Sequence, residues 1–306
     1  MEQGFFRKFK VFISYAVVIA IFFFLAKTLL ANWKQIPWQN IKFNYFYLIS
    51  SIFLLFINFL LGSYSWYLIM KNMNERVSFK KSMKIIAKSQ LAKYIPGGIW
   101  QTVSRVYLME KENISKTKVV IGSLIETQFV LFTALIFYFL IFFSGWRPKF
   151  LAETYENYKV FSLILVLVLL ISFHPKIIKG LVGFLGRFFK LANYEIDLKW
   201  RDVLLLLGVF FTAWIIQGAA FFLLLNSIYS TPLNLFMAIA GSHVISWTIG
   251  FLVLFAPGGM GVREGVLALL LKTLIPLPIA LGISLLSRIW VIVCELILAA
   301  AVVKIK

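Results

Sequence analysis

The chain has 306 residues, of which 61% are hydrophobic and only 14% are charged, whereas an ordinary soluble domain carries charge on about a quarter of its residues. Its one cysteine excludes a disulfide framework within the chain and a CxxC metal site. Several apolar runs exceed the ~18 residues that mark a transmembrane helix. The sequence therefore predicts an all-α polytopic membrane protein with six to eight transmembrane helices.

The formal charge of +19 would suggest nucleic-acid binding in a soluble protein. In a membrane protein, basic residues collect in cytoplasmic loops and face anionic lipid, so we expect no nucleic-acid partner. The sequence contains no HExxH, Walker A, GxSxG or DxD pattern. We therefore predict no catalytic residue, no metal site and no cofactor, and we expect the chain not to be an enzyme.

The first apolar run, about 9–31, follows a basic start and is too long for a cleaved signal peptide. We predict a retained helix with a cytoplasmic N-terminus, in a multi-pass protein of the cell membrane whose C-terminus is also cytoplasmic. The remaining apolar runs predict further helices at about 43–70, 99–110, 117–143, 158–173, 203–228, 235–255, 263–275 and 279–303.

Two basic segments, 78–92 and 176–190, are predicted to be amphipathic helices. On a helical wheel the cations share an arc of about 100° in the first segment and about 80° in the second, with apolar residues elsewhere. We expect both to lie at the cytoplasmic interface, and the first also suits one wall of a hydrated cleft. The cations are Lys80, Lys81, Lys84 and Lys88 in the first segment, and Lys176, Lys179, Arg187 and Lys190 in the second.

Two proline-glycine turns interrupt the hydrophobic pattern. The first is in AKYIPGGIWQTVSR, at residues 92–105, and the second is in LVLFAPGGMGVREG, at residues 252–265. Broken backbone at membrane depth is tolerated where protein encloses it or where it lines a watery cavity. We therefore predict broken-helix turns at Pro96, Gly97 and Gly98, and at Pro257, Gly258, Gly259 and Gly261.

The two halves of the chain match when one is shifted by 161 residues. This shift places Pro96-Gly97-Gly98 on Pro257-Gly258-Gly259, and Ser123-Leu124 on Ser284-Leu285. Two matching blocks in one register indicate an internal duplication. We predict a single transmembrane domain over residues 1–306, with one repeat at about 9–145 and the other at about 158–306.

Two topologies remain open for these repeats. Charge bias favours inverted repeats, each with three spanning helices and a re-entrant hairpin that carries PGG at its tip. In the alternative topology all eight helices cross the membrane and the turns lie near a surface. The apolar run at 235–255, which precedes the second PGG turn, is long enough to cross the membrane. Its counterpart before the first PGG turn, the lysine-rich segment 78–92, is too polar to enter lipid.

Six charged residues are candidates for a lipid head-group cleft: Arg105, Glu126, Arg263, Glu264, Arg288 and Glu295. Arg263 and Glu264 directly follow a glycine turn, where the N–H groups of a starting helix favour a phosphate; a simple helix cap is the structural alternative. Charges deep in lipid are expensive unless paired or hydrated. Glu126 and Arg288 therefore indicate a polar pathway or head-group site, a structural ion pair with each other, or both. His243 is expected to be a hydrogen-bonded histidine between helices rather than a proton carrier.

KYIPGGIWQTVSR, the serine and glutamate of the next helix, APGGMGVREG and SLLSR together resemble the lysylphosphatidylglycerol synthase transmembrane-region family, also called flippase-like. The resemblance covers nearly the whole chain. This chain has Thr127 and Val130 where the family pattern implies an arginine and an aspartate. Some members carry a soluble aminoacyltransferase domain. Since this chain ends three residues after its last predicted helix, we expect no lysine transfer from it.

The resemblance implies a membrane domain that moves or presents a lipid. The expected lipid is an anionic or aminoacylated phospholipid, or a polyprenyl-phosphate-linked lipid. The alternative is an accessory membrane subunit that serves a lipid-linked glycosyltransferase or an aminoacyl-phospholipid synthase and transports nothing itself. Transport of labelled lipid by the reconstituted protein would distinguish the two, because the alternative predicts a stable complex and no transport.

Overall fold

The computed structural model describes residues 43–95, 98–143, 173–188, 198–253 and 256–303, with single positions at 23, 27, 30 and 171. Within these residues the regular elements are α-helices and short 3-10 turns, without a β-strand. The predicted helices at about 9–31 and 158–173, and the turn residues Pro96 and Gly97, lie outside the described residues or nearly so.

The helices agree with the predicted apolar runs to within a few residues. Short 3-10 turns lie at Leu91–Tyr94, Leu233–Leu235 and Pro257–Gly259. The described helices are α1 (Tyr45–Asn72), α2 (Phe79–Gln90), α3 (Trp100–Glu110), α4 (Lys116–Phe143), α5 (Pro175–Phe188), α6 (Trp200–Asn226), α7 (Phe236–Leu252), α8 (Val262–Leu271) and α9 (Leu277–Val303).

Five segments of the described chain are long and apolar enough to cross a membrane. They consist of α1, most of α4, α6, α7 with its preceding turn, and α9. Each contains 20–28 residues, which at 1.5 Å per residue reaches or exceeds a hydrocarbon core of about 30 Å. The protein is therefore a multi-pass α-helical membrane protein.

Three of the helices beside the two PGG turns are much shorter. α2, α3 and α8 have 12, 11 and 10 residues, so each is about 15–18 Å long. A helix of that length cannot cross a hydrocarbon core of about 30 Å. These lengths favour hairpins over eight complete crossings, and the re-entrant arrangement itself stays a prediction.

The helix bounds also follow the register of the predicted duplication. A shift of 161 residues carries α3 and α4 to 261–271 and 277–304, and α8 and α9 occupy Val262–Leu271 and Leu277–Val303. Each pair of helices thus agrees within one residue at both ends. Whether the two repeats are inverted stays a prediction.

The chain folds into two compact units, each with residues from both halves of the sequence. The first unit contains the described residues up to Leu55, with Leu91–Gln101 and Gln217–Ile297. The second contains Phe56–Gln90, Thr102–Ile216 and the described residues from Leu298 onward.

In the first unit, aliphatic and aromatic side chains of α6, α7, α8 and α9 form the core, including Phe221, Ile239, Leu271 and Ile283. A Cβ on Gly218 would lie 2.7 Å from the Cβ of Ala240, so small residues let α6 and α7 approach closely. α7 also packs against α8, and the Leu91–Tyr94 turn packs against the Pro257–Gly259 turn. The turn just before the first PGG sequence therefore contacts the second PGG turn.

In the second unit, the core is aromatic. The Phe129 ring lies 5.1 Å from the Phe173 ring and 5.8 Å from the Phe210 ring, between centroids. The Trp214 indole N–H donates to the Thr133 hydroxyl at 3.1 Å. A polar group on each of α4 and α6 is thereby satisfied inside an apolar core.

The described parts of the two basic segments are amphipathic, as the wheel pattern predicts. In α2, Ile85 and Ile86 are buried, whereas Lys80, Lys81 and Lys88 are exposed. In α5, Ile178 is fully buried, and the exposed positions include Lys176 and Lys179. Lys190 lies outside the described residues.

Candidate functional site

The second PGG turn breaks the chain between α7 and α8. Three glycines adopt positive φ: 57° at Gly258, 73° at Gly259 and 80° at Gly261. Residues with a side chain adopt this region reluctantly. Pro257 starts the turn, and the Gly259 N–H donates to the Ala256 carbonyl at 2.8 Å. The sequence Pro-Gly-Gly-Met-Gly therefore specifies this break through backbone conformation.

The same glycines leave space for two arginines. A Cβ on Gly258 would lie 2.9 Å from Nη2 of Arg288, and a Cβ on Gly259 would lie 2.6 Å from Nε of Arg263. On α7, a Cβ on Gly250 would overlap the side chain of Arg263. Backbone conformation and the approach of two guanidinium groups thus require glycine at the same positions.

Arg288, on α9, has an incomplete set of partners. It is 7% exposed, and its Nη1 donates to the Gly258 carbonyl at 3.1 Å. Its Nε lies 3.6 Å from Oε1 of Glu264, which is an ion pair without a hydrogen bond. Nε and Nη2 have no hydrogen-bond partner among the described residues. A buried donor without a partner destabilises a fold by about 1–3 kcal/mol.

Glu264 is held by the start of α8. It is 2% exposed, and its Oε2 accepts the Gly261 N–H at 2.6 Å. A carboxylate in the first turn of a helix also interacts favourably with the helix dipole. The helix-cap interpretation of this glutamate is therefore correct, and the carboxylate also faces the Arg288 guanidinium.

Arg263 follows Gly261 in the first turn of α8, outside the five spanning helices. Its guanidinium carbon lies 4.9 Å from the centre of the Trp247 ring, in cation–π geometry. Its Nε is buried without a hydrogen-bond partner among the described residues. Burial, with the nearby Arg288 charge, lowers the pKa of Arg263 to about 10. The side chain is therefore charged at neutral pH.

Lys93 and Tyr94 join the turn before the first PGG sequence to α9. The Lys93 ammonium forms an ion pair with Glu295, and the Tyr94 hydroxyl donates to the same carboxylate at 2.7 Å. The Tyr94 ring lies 5.1 Å from the guanidinium carbon of Arg288. Burial lowers the pKa of Lys93 and raises the pKa of Tyr94, while the nearby Glu295 carboxylate acts on the pKa of Lys93 in the opposite direction to burial.

These residues form one cluster in the first unit, which we call the PGG cluster: Lys93, Tyr94, Arg263, Glu264, Arg288 and Glu295. Lys93 and Glu295 contribute no net charge as a pair, whichever of them holds the proton between them. Within the described part of the chain the two arginines face one remaining carboxylate, so the cluster of described residues carries one uncompensated positive charge. Buried cationic N–H groups without partners suit an anion with several acceptor oxygens, such as a phosphate.

Arg105 and Glu126 form a separate, satisfied cluster in the second unit. Arg105 is 3% exposed and forms an ion pair with Glu126 through both terminal nitrogens. Its Nε donates to the Ser89 hydroxyl at 3.3 Å, and its guanidinium carbon lies 4.5 Å from the centre of the Trp66 ring. Each nitrogen of this arginine therefore already has a protein partner.

This arrangement corrects one of the two sequence interpretations of the deep charges. The predicted structural ion pair between Glu126 and Arg288 is not formed. Glu126 pairs with Arg105, and Arg288 faces Glu264. Glu126 sits opposite α3 in the second unit because Ser89 and Trp66 complete a site for the Arg105 guanidinium. Helix depth alone could not indicate which partner a charge finds.

Among the predicted turn residues, Gly98 has a φ of 70°, which suits a left-handed turn. Pro96 and Gly97 lie outside the described residues. Sequence reasoning missed Lys93, Tyr94 and Trp247 as members or neighbours of the site. The first two were adjacent to the PGG sequence in KYIPGG, which was the available signal, whereas Trp247 had none.

His243 behaves as predicted. Its Nε2 lies 3.1 Å from Nε2 of Gln217, a hydrogen bond between α7 and α6. The ring stacks on Phe221 with centroids 4.5 Å apart. It is therefore a hydrogen-bonded histidine between two helices of the first unit. Within the described part of the chain, no group of three or more His, Cys, Asp or Glu side chains is placed to hold a metal ion.

Several apolar helices, a broken hairpin and a partly buried cluster of charged side chains define a class: multi-pass α-helical membrane proteins with an internal polar site. Within this class the family is specific. The family model described as Lysylphosphatidylglycerol synthase TM region matches residues 11–299, and the chain belongs to this family. A search of curated proteins found no match.

Proposed function

We propose that this protein is a flippase-like translocator of a lipid with a phosphate in its head group, located in the cell membrane with both termini in the cytoplasm. The lipid class comprises anionic or aminoacylated phospholipids and polyprenyl-phosphate-linked lipids. The family description supports a phospholipid, because the named synthase product is one. The proposed role is movement of the lipid without chemical conversion of it.

The observation that carries this proposal is the incomplete hydrogen bonding of the buried Arg288 side chain. A guanidinium that is 7% exposed, with two nitrogens lacking hydrogen-bond partners among the described residues, is expensive inside a fold. Replacement by an apolar side chain would relieve that energy if structure were the only requirement. A phosphate oxygen would complete the hydrogen bonds and cancel the excess charge. Arg105, with every nitrogen occupied, shows what a structural arginine looks like in the same chain.

The broken hairpin supports a role in lipid movement. The α7–α8 hairpin has its break at the PGG cluster, and helix ends at a break present backbone groups to a polar ligand. A head group bound there is shielded from lipid tails, while its own tails stay in the bilayer. The predicted re-entrant position of this hairpin would place the bound head group near the membrane midplane.

The test is transport in proteoliposomes. The purified protein is reconstituted with fluorescent phosphatidylglycerol in both leaflets, and a membrane-impermeant reductant bleaches the outer leaflet. Movement of the head group makes the inner pool accessible and raises the bleached fraction above the roughly half seen in protein-free vesicles. We expect Arg288→Gln to lose this movement, because the substitution removes the excess charge and the free donors together.

Arg76→Gln is the matched control, since it makes the same chemical change at an exposed arginine between α1 and α2. It should transport like the wild type. The proposal is refuted if no phospholipid or polyprenyl-phosphate lipid moves, or if Arg288→Gln transports as fast as Arg76→Gln. Stable co-purification with a glycosyltransferase or synthase and no transport would establish the accessory-subunit alternative instead.

A further inference from the structure

The PGG cluster has a definite charge balance as well as an anion-binding character. Among the described residues of the cluster, Glu264 is the one carboxylate left to oppose Arg263 and Arg288, because Glu295 is occupied by Lys93 and Tyr94. One positive charge is therefore uncompensated. Each of these carboxylates lies within a few ångströms of a cationic side chain, so each contributes strongly to the potential at the free N–H groups.

Glu264 is the residue that fixes this balance. It is 2% exposed, and its position is set by the Gly261 N–H rather than by Arg288, whose Nε is 3.6 Å away. A carboxylate so placed offers the arginine charge without filling its hydrogen-bonding positions. It reduces the positive potential of the site and leaves the donors free for a ligand.

We propose that Glu264 determines the charge of the accepted head group and limits it to one net negative charge on the phosphate. The accepted chemistry is then a phosphodiester, with one charge, in preference to a phosphomonoester with two. This inference rests on the proposed binding of a phosphate head group and adds the charge selectivity of that site. Glu264 acts on the ligand through the potential around Arg263 and Arg288, and is a specificity-determining residue rather than a catalytic one.

The charge balance makes opposite predictions for two single substitutions. Glu264→Gln keeps an amide oxygen to accept the Gly261 N–H but raises the net charge of the cluster to two. Arg263→Gln lowers the net charge to zero. The first should favour a dianionic monoester, and the second should remove the preference for anionic over zwitterionic head groups.

The experiment measures competition for the detergent-solubilised protein. Short-chain phosphatidylglycerol, phosphatidic acid and phosphatidylcholine compete against a fluorescent phosphatidylglycerol at pH 8, where a monoester with a second pKa near 6 carries about two charges. The wild type should bind phosphatidylglycerol more tightly than phosphatidic acid. Glu264→Gln should shift the ratio of the two dissociation constants toward phosphatidic acid by roughly tenfold or more.

Two controls separate charge from structure. Glu264→Asp keeps the charge with a shorter side chain and should retain the wild-type order of head groups. Glu112→Gln repeats the substitution at an exposed glutamate that pairs with Lys81, and should leave all three affinities unchanged. Arg263→Gln provides a second test if Glu264→Gln does not fold, with the ratio for phosphatidylglycerol against phosphatidylcholine falling to about one.

The outcomes distinguish this inference from the proposed function. A wild type that binds no phosphate lipid overturns both. A wild type that binds phosphatidylglycerol, with a Glu264→Gln variant of unchanged head-group ratio, overturns the charge selectivity alone. The same conclusion follows if Arg263→Gln keeps full discrimination against phosphatidylcholine.

Discussion

Alanine at position 259 should destabilise the protein strongly. Gly259 has a φ of 73°, and an L-residue in the left-handed region loses about 1–2 kcal/mol relative to its ordinary conformation. Its Cβ would also lie 2.7 Å from the Gly250 carbonyl oxygen. That atom belongs to the backbone of α7 and cannot rotate away, so overpacking adds about 1–3 kcal/mol. The expected loss for Gly259→Ala is about 3 kcal/mol.

Thermal unfolding in detergent measures this loss directly. Cys294 is the one cysteine of the chain and is 3% exposed, so a dye that fluoresces on reaction with a thiol reports when the first unit opens. A loss of about 3 kcal/mol corresponds to a Tm lower by roughly 5–10 °C. The matched control is Gly265→Ala in α8, where a Cβ would meet nothing within 4 Å. Alanine there should raise the stability by about 0.5–1 kcal/mol, because glycine is a poor helix former.

The reasoning is refuted if Gly259→Ala melts at the wild-type temperature, or if both variants lose the same amount. The first result would mean that α7 and the turn can separate without loss of packing. The second would mean that an added methyl group destabilises this hairpin at any position, whatever the φ of the substituted residue and the atoms around it.

Two further substitutions test the clusters themselves. Glu126→Ala leaves the buried guanidinium of Arg105 without its counter-charge, and removal of one partner from a buried pair typically destabilises by about 3–5 kcal/mol; helical circular dichroism on heating measures this loss. Gly258→Ala places a Cβ 2.9 Å from Nη2 of Arg288, the flexible end of a side chain. We expect the free energy of unfolding to fall by only about 1 kcal/mol. Binding of phosphatidylglycerol should be roughly tenfold weaker, because the displaced guanidinium no longer directs its N–H bonds at the phosphate.

Each of these has a matched control in the chain. Glu110→Ala breaks an exposed ion pair with Lys116 and should alter stability by less than about 1 kcal/mol. Gly282→Ala adds a methyl group where nothing lies within 4 Å and should bind lipid normally. A Glu126→Ala variant as stable as Glu110→Ala would contradict the buried pair. Normal lipid binding by Gly258→Ala would place the head group away from Arg288.

The spanning helices could be predicted from sequence because lipid imposes length and apolarity directly. The α1 and α9 runs predicted at about 43–70 and 279–303 occupy Tyr45–Asn72 and Leu277–Val303. The second break was also predictable, since proline with closely spaced glycines has few alternatives to a turn. The α8 helix ends at Leu271, four residues before the predicted 275, and Lys272 caps it. Pro276 discourages helical geometry at the residue before it.

The partners of the buried charges could not be predicted in the same way. Sequence gives the depth of Glu126 along its helix but not which arginine of another helix it meets. Nor does it show that Arg105 has all its nitrogens occupied while Arg288 has two without partners among the described residues. This difference depends on Ser89 and Trp66, which contact the Arg105 guanidinium. The sequence alone does not distinguish these two residues from other core residues.

The aromatic rings that lie over the two arginines of the PGG cluster have a stereochemical consequence. The ring centres of Trp247 and Tyr94 lie 4.9 Å and 5.1 Å from the guanidinium carbons of Arg263 and Arg288, respectively, so an aromatic ring occupies one side of each arginine. The N–H bonds of a guanidinium point outward in its own plane, in a fixed fork. A round ion such as chloride uses that fork poorly, whereas two oxygens of one tetrahedral phosphate match a pair of parallel N–H bonds. A phosphate bound at the PGG cluster, as we propose, would therefore be selected by its shape as well as by its charge.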